Sequence, residues 1–95
     1  MKTGIELISA ERERQITEKG WDAEHDNIAN NDGQLADAAI CYAMDGDRRD
    51  NWTVSNIWPW DWNWWRPTPE DRIRELTKAG ALIAAEIDRL NNLQM

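Results

Sequence analysis

The sequence holds one cysteine, Cys41, one histidine, His25, and no phenylalanine. A single thiol can close no internal disulfide and build no zinc site, so the fold must rest on packing. One imidazole also leaves any mechanism that needs two histidines without its side chains. Only two serines occur, Ser9 and Ser55, and neither sits in a strand-turn-helix glycine motif, which removes support for a hydrolase triad. Phosphate-cradling glycine loops are missing too. The longest apolar stretch, Ala79 to Ile87 with one charge, is too short to span a bilayer, and the start lacks the basic-then-apolar layout of a secretory signal. A cytoplasmic protein with no membrane partner is expected. Positive charge is scarce: eleven Lys and Arg face eighteen Asp and Glu, a net charge of −7, which opposes direct binding of nucleic acid.

What is present is 95 residues, enough for one small domain. Its pattern predicts an all-α fold of three main helices, with a Trp-rich structured connection between the second and third. Thr3 and Glu6 have capping-box spacing for a helix over about 4–19 that ends at Gly20. Ile5, Ile8 and Ile16 give it an apolar stripe. Glu11 to Gln15 contribute nothing to that stripe, so this half of the helix is either solvated or directed into a site. Residues 20–31 read as an acidic loop. Leu35, Ala38, Ala39 and Tyr42 mark a mostly buried helix over about 32–44 that starts near Asn31 or Asp32, with Gln34 reaching back. Polar and Trp-rich chain fills 45–67. Thr68 as cap and Pro69 at the first helical position start a third helix over about 69–92. There Ile73, Leu76, Gly80, Ile83, Ile87 and Leu90 recur at spacings of 3 and 4, the seam of a helix facing a partner, and a homodimer through this helix is expected.

Six of the seven tryptophans fall between Trp52 and Trp65. Strict alternation of Trp58, Trp60, Trp62 and Trp64 would place four rings on one side of an extended backbone. Either they wrap the helices as aromatic core or, with Trp21 and with Arg66 beside them, they form a binding platform. Asp22, Glu24, His25, Asp26 and Asp32 form a set of hard ligands suited to Mg²⁺ or Mn²⁺, although their spacing is not that of a calcium loop. Cys41 reads as a buried packing thiol. Lys78 and Glu86 flank the apolar middle of the third helix. They would meet an anionic ligand or carboxylate, or else form a solvated face in which Glu86 pairs with Arg89. No catalytic residue is assigned.

Gln15, Gly20-Trp21, Glu24-His25-Asp26, Leu35-Ala36, Tyr42, Trp58-Pro59-Trp60 and the run Arg74 to Ile87 resemble a family of small phage and prophage proteins, over nearly the whole chain. The resemblance implies a bacterial host cytoplasm and no particular activity. Trp21 and His25 ahead of the Leu35 helix are also similar in order to the all-α, MazG-like nucleoside triphosphate pyrophosphatases. Those hold Mg²⁺ on Glu-x-x-Glu and Glu-x-x-Asp pairs. This chain has Gln34 with Asp37, Glu75 with Lys78 and Glu86 with Arg89, so neither motif is intact. Two functions are therefore expected. The first is a binding protein whose acidic surface and tryptophans engage a basic host protein, as in counter-defence; the alternative is a Mg²⁺-dependent nucleotide-binding or nucleotide-cleaving protein.

Overall fold

A computed structural model describes residues 1–93. Five α-helices and no strand are present among them: α1 Gly4–Lys19, α2 Ala23–Ala29, α3 Gln34–Ala43, α4 Asn51–Ile57 and α5 Arg72–Leu93. Among the described residues no helix is long and apolar enough to cross a membrane. The three-helix expectation thus gains two short helices. The stretch expected to be an acidic loop contains α2, because the Asp22 side chain accepts from the His25 N–H at 2.9 Å and caps a helix. The same device starts α4, where Asp50 accepts from the Thr53 N–H at 2.7 Å.

Local signals at the first helix are realised. Thr3 and Glu6 form a reciprocal capping box, and Gly20 ends α1 in the left-handed region at φ 72°. α3 starts two residues later than expected, after Gly33 at φ 80°, with Gln34 accepting from the Asp32 N–H at 2.7 Å. α5 begins at Arg72 rather than at Pro69. Thr68 does not cap it, since its N–H is drawn 2.9 Å to the buried Glu75 carboxylate, and Asp71 instead accepts from the Arg74 N–H at 3.1 Å.

α5 runs through the structure, with α3 packed along one flank and α1 and α2 on others. The core is Leu35, Ala38, Ala39 and Tyr42 of α3, Val54 of α4, Trp58, and Ala79, Leu82 and Ala85 of α5. The supposed seam of α5 does not contribute. Ile73, Leu76, Ile83, Ile87 and Leu90 are all between 44% and 64% exposed. Only Gly80 is covered, and a Cβ there would collide with the Ile8 side chain of α1. α5 buries the adjacent faces instead, where alanines admit close helix approach.

Charge is part of this interior. Glu75, 0% exposed, accepts from Arg49 at 2.7 Å, Arg72 at 3.2 Å and the Thr68 N–H. Arg72 also donates to the Tyr42 and Ala43 carbonyls at the end of α3. Those carbonyls have no intrahelical partner, and a cation at a helix C-terminus is favourable.

The Trp-rich connection is not extended. Asp61 caps a 3-10 turn over Trp62–Trp64, and this turn breaks the alternation of the rings. Trp58 and Trp65 pack on Tyr42 and Trp60 packs on Trp58, with Tyr42–Trp65 centroids at 4.8 Å, Trp58–Trp65 at 5.1 Å and Trp58–Trp60 at 5.3 Å, while Trp62 and Trp64 turn outward. Cys41 is buried behind them, and its thiol is pushed up to about 11, chiefly by burial.

Candidate functional site

One cavity of about 590 Å³ opens between α1, α2, α5 and the Trp-rich connection. Ligand pockets fall between about 300 and 1,000 Å³, so its size suits a small molecule. Its polar wall is the half of α1 that carries no apolar stripe: Glu11, Arg12 and Gln15 are buried there. Of the two options the sequence left for that half-helix, the structure takes the inward one.

Glu11 accepts from Arg14 at 2.9 Å, from Arg74 at 2.7 Å and from Gln15 at 3.2 Å. Burial raises its pKa, but the hydrogen bonds and charges of Arg14 and Arg74 outweigh that and hold it at about 2. Arg12 donates to the Trp21 carbonyl at 2.6 Å and pairs with Asp88 at 3.3 Å, fixing the chain between α1 and α2. Lys78 reaches into the same space. Its Nζ lies 3.3 Å from the Arg66 carbonyl and 5.3 Å from the Tyr42 ring centroid. Burial first, and the charge of Arg74 second, pull its ammonium below the ordinary lysine value.

The aromatic wall is held from behind. Trp60 Nε1 donates to Asn30 Oδ1 at 3.0 Å, and Asn30 Nδ2 donates to Asp26 Oδ1 at 2.9 Å. Trp58 Nε1 donates to the Asp61 carbonyl at 3.1 Å. Trp64 lines the mouth, 60% exposed. Its indole has no hydrogen bond or aromatic partner among the described residues, which leaves that ring uncommitted.

The structure brings together Trp21, His25, Asp26, Trp58, Trp60, Trp64, Arg66 and Lys78 from the sequence candidates. The position of Lys78 corrects its reading as part of a solvated face. Glu86 is not in the cavity; it binds Arg89 at 2.6 Å in a pair that is itself largely buried, which also corrects its reading as part of a solvated face. Asp22, Glu24 and Asp32 are absent from the wall as well. Asp22 is committed to capping α2, Glu24 is exposed, and Asp26, 1% exposed, is engaged by Asn30 and His25. Among the described residues no three His, Cys, Asp or Glu side chains are placed to hold a metal ion, so the five-residue Mg²⁺ or Mn²⁺ set is not assembled.

Sequence reasoning missed Arg14, Arg74, Gln15 and Asn30 as site residues. The signal for the α1 pair was the interruption of its apolar stripe. Nothing local marked Asn30, whose role comes from its contact with Trp60 thirty residues away. No protein-family model, curated protein or solved structure matches the chain, so the chemistry of the site rests on its own side chains.

Five cations, Arg12, Arg14, Arg66, Arg74 and Lys78, face three carboxylates, Glu11, Asp26 and Asp61, around this cavity. The cavity is therefore net positive in a chain of net charge −7. Arg12, Arg14 and Arg74 have carboxylate partners. Arg66 and Lys78 have none within 4.0 Å among the described residues.

Proposed function

We propose that the protein binds a nucleotide in this cavity, with the base against the indoles and the phosphate on Lys78 and Arg66. The observation that carries the reading is the pairing of four indoles with two cations, Lys78 and Arg66, that have no carboxylate partner among the described residues, in one cavity of an acidic chain. Stacking on an aromatic ring is worth about 1–3 kcal/mol per base, and cations in a partly desolvated site form charge-assisted bonds to phosphate. Trp64 is the ring free to close over a base; Trp60 is preorganised by Asn30. The activity proposed is binding. No step of hydrolysis is assigned, because the carboxylate pairs that would hold Mg²⁺ are not in the cavity.

Engagement of a basic host protein by the acidic surface draws less support. Of Asp22, Asp26, Asp45 and Asp47, which lie in the acid-rich stretch 21–50, Asp26 is buried, and Asp22 and Asp45 accept backbone N–H groups as caps. Only Asp47 of that set is exposed without such a role.

Thermal unfolding with nucleoside mono-, di- and triphosphates, with and without Mg²⁺, tests the proposal. A ligand at a hundred times its Kd adds about 2.7 kcal/mol to stability, which for a domain of this size raises the midpoint by about 10 °C or more. The rise is expected without Mg²⁺ and is expected to shrink in high salt. A flat response up to about 1 mM of every nucleotide, a Kd above which the binding free energy is weaker than about −4.1 kcal/mol, overturns the reading.

A further inference from the structure

The outer ridge of α5 is the second feature of this molecule that its own packing leaves unexplained. Ile73, Leu76, Ile83, Ile87 and Leu90 lie at alternating three- and four-residue steps once Gly80 is counted, the a and d positions of a heptad over eighteen residues. All five are between 44% and 64% exposed. The notch at Gly80 is filled by the Ile8 side chain of α1, so the ridge is apolar from end to end.

Surface area gives a second, independent measure. The chain exposes 6388 Å², whereas a folded monomer of 11.1 kDa is expected to expose about 5,700 Å². The excess of about 700 Å² belongs to the whole surface, but five of the thirteen large hydrophobic side chains exposed among the described residues stand on this one ridge, and a standard interface buries about 800 Å² per partner. The shape agrees: the extents are 41 × 35 × 21 Å, a slab with one thin dimension.

We infer that the α5 ridge is the interface of a two-fold homodimer, with a second copy of this chain as its occupant. A heptad seam is matched by a helix with the same repeat, and a two-fold axis supplies that helix from an identical surface. A large exposed aliphatic patch is otherwise a solubility hazard. The ridge and the cavity are lined by different residues, so the dimer does not depend on the nucleotide reading.

Light scattering coupled to size exclusion on the full chain tests the inference. At about 100 µM, where even a micromolar association of about −8.2 kcal/mol is saturated, the expected mass is twice 11.1 kDa. Ile83→Glu and Ile87→Glu, on exposed positions, are expected to raise the dimer Kd, read from a dilution series, at least about 100-fold with an unchanged circular dichroism spectrum. An 11.1 kDa species for the unmodified chain overturns the dimer, whether the ridge is then bare or serves a different protein. A dimer Kd that is unchanged in both folded variants overturns the ridge as its interface.

Discussion

α5 can be compared with itself across its own axis. Its outer ridge is aliphatic and exposed, while its inner faces carry Glu75, Lys78 and Arg89 among alanines and are largely buried. In an ordinary surface helix the two would be exchanged. The inner faces tolerate charge because the buried Glu75 is matched by two guanidinium groups and a backbone N–H, and Glu11 of the facing α1 by Arg14 and Arg74. Alanines on the same faces leave room beside Leu82 for a cavity, and Lys78 is the one inner cation of α5 without a carboxylate. The outer ridge offers shape without chemistry and the inner faces offer chemistry within a shape. That difference separates a surface for assembly from a site for a ligand.

Breaking the inner face should have the largest effect. Glu75→Ala strands Arg49 and Arg72 beside the end of α3, and losing one side of a buried ion pair costs about 3–5 kcal/mol; urea unfolding measures this, and a loss under about 1 kcal/mol would remove Glu75 from the framework. Acid should erode the same face. Glu11 and Glu75 both titrate below the ordinary value of 4.5 in the folded chain, Glu11 at about 2. Their stabilisation is therefore complete above 4.5 and is lost as pH falls from 4.5 toward 2. The urea midpoint should hold from neutral pH down to that value and then decline, and Glu11→Gln should flatten part of the decline.

Lys78→Met sharpens the comparison from the ligand side. It removes an uncommitted cation while keeping the length of the side chain, so nucleotide affinity by calorimetry should fall about 10-fold or more, about 1.4 kcal/mol. Stability without ligand should stay level, since no carboxylate depends on Lys78. Gly80→Ala should give the smallest effect. Helix propensity gains about 1 kcal/mol, the added Cβ meets both Cδ1 and Cγ1 of Ile8 and displaces that side chain, which offsets the gain, and the net change in unfolding free energy should stay within about 1 kcal/mol.

How much of this was legible in the sequence follows from how local each cause is. The capping box at Thr3 and the end of α1 at Gly20 are set by residues a few positions apart. α2 and α4 were hidden because seven-residue helices show less than two full periods, although Asp22 and Asp50 stand at their starts as caps. The heptad in α5 was visible, but periodicity locates an apolar ridge without naming what covers it. Residues of the ligand wall were visible one by one as Trp21, Trp58, Trp60, Trp64, Arg66 and Lys78. Their convergence depends on the 3-10 turn at Trp62–Trp64 and on Trp60 reaching Asn30, contacts between distant segments that no local pattern encodes.

The seven indole N–H groups provide the most direct test, because each gives its own resonance in a ¹⁵N–¹H correlation spectrum. Titration with a nucleotide should move the signals of Trp21, Trp60 and Trp64 and leave that of Trp52, which lies on α4 outside the cavity wall. A spectrum in which no indole moves, or in which Trp52 alone responds, would contradict a nucleotide site in this cavity.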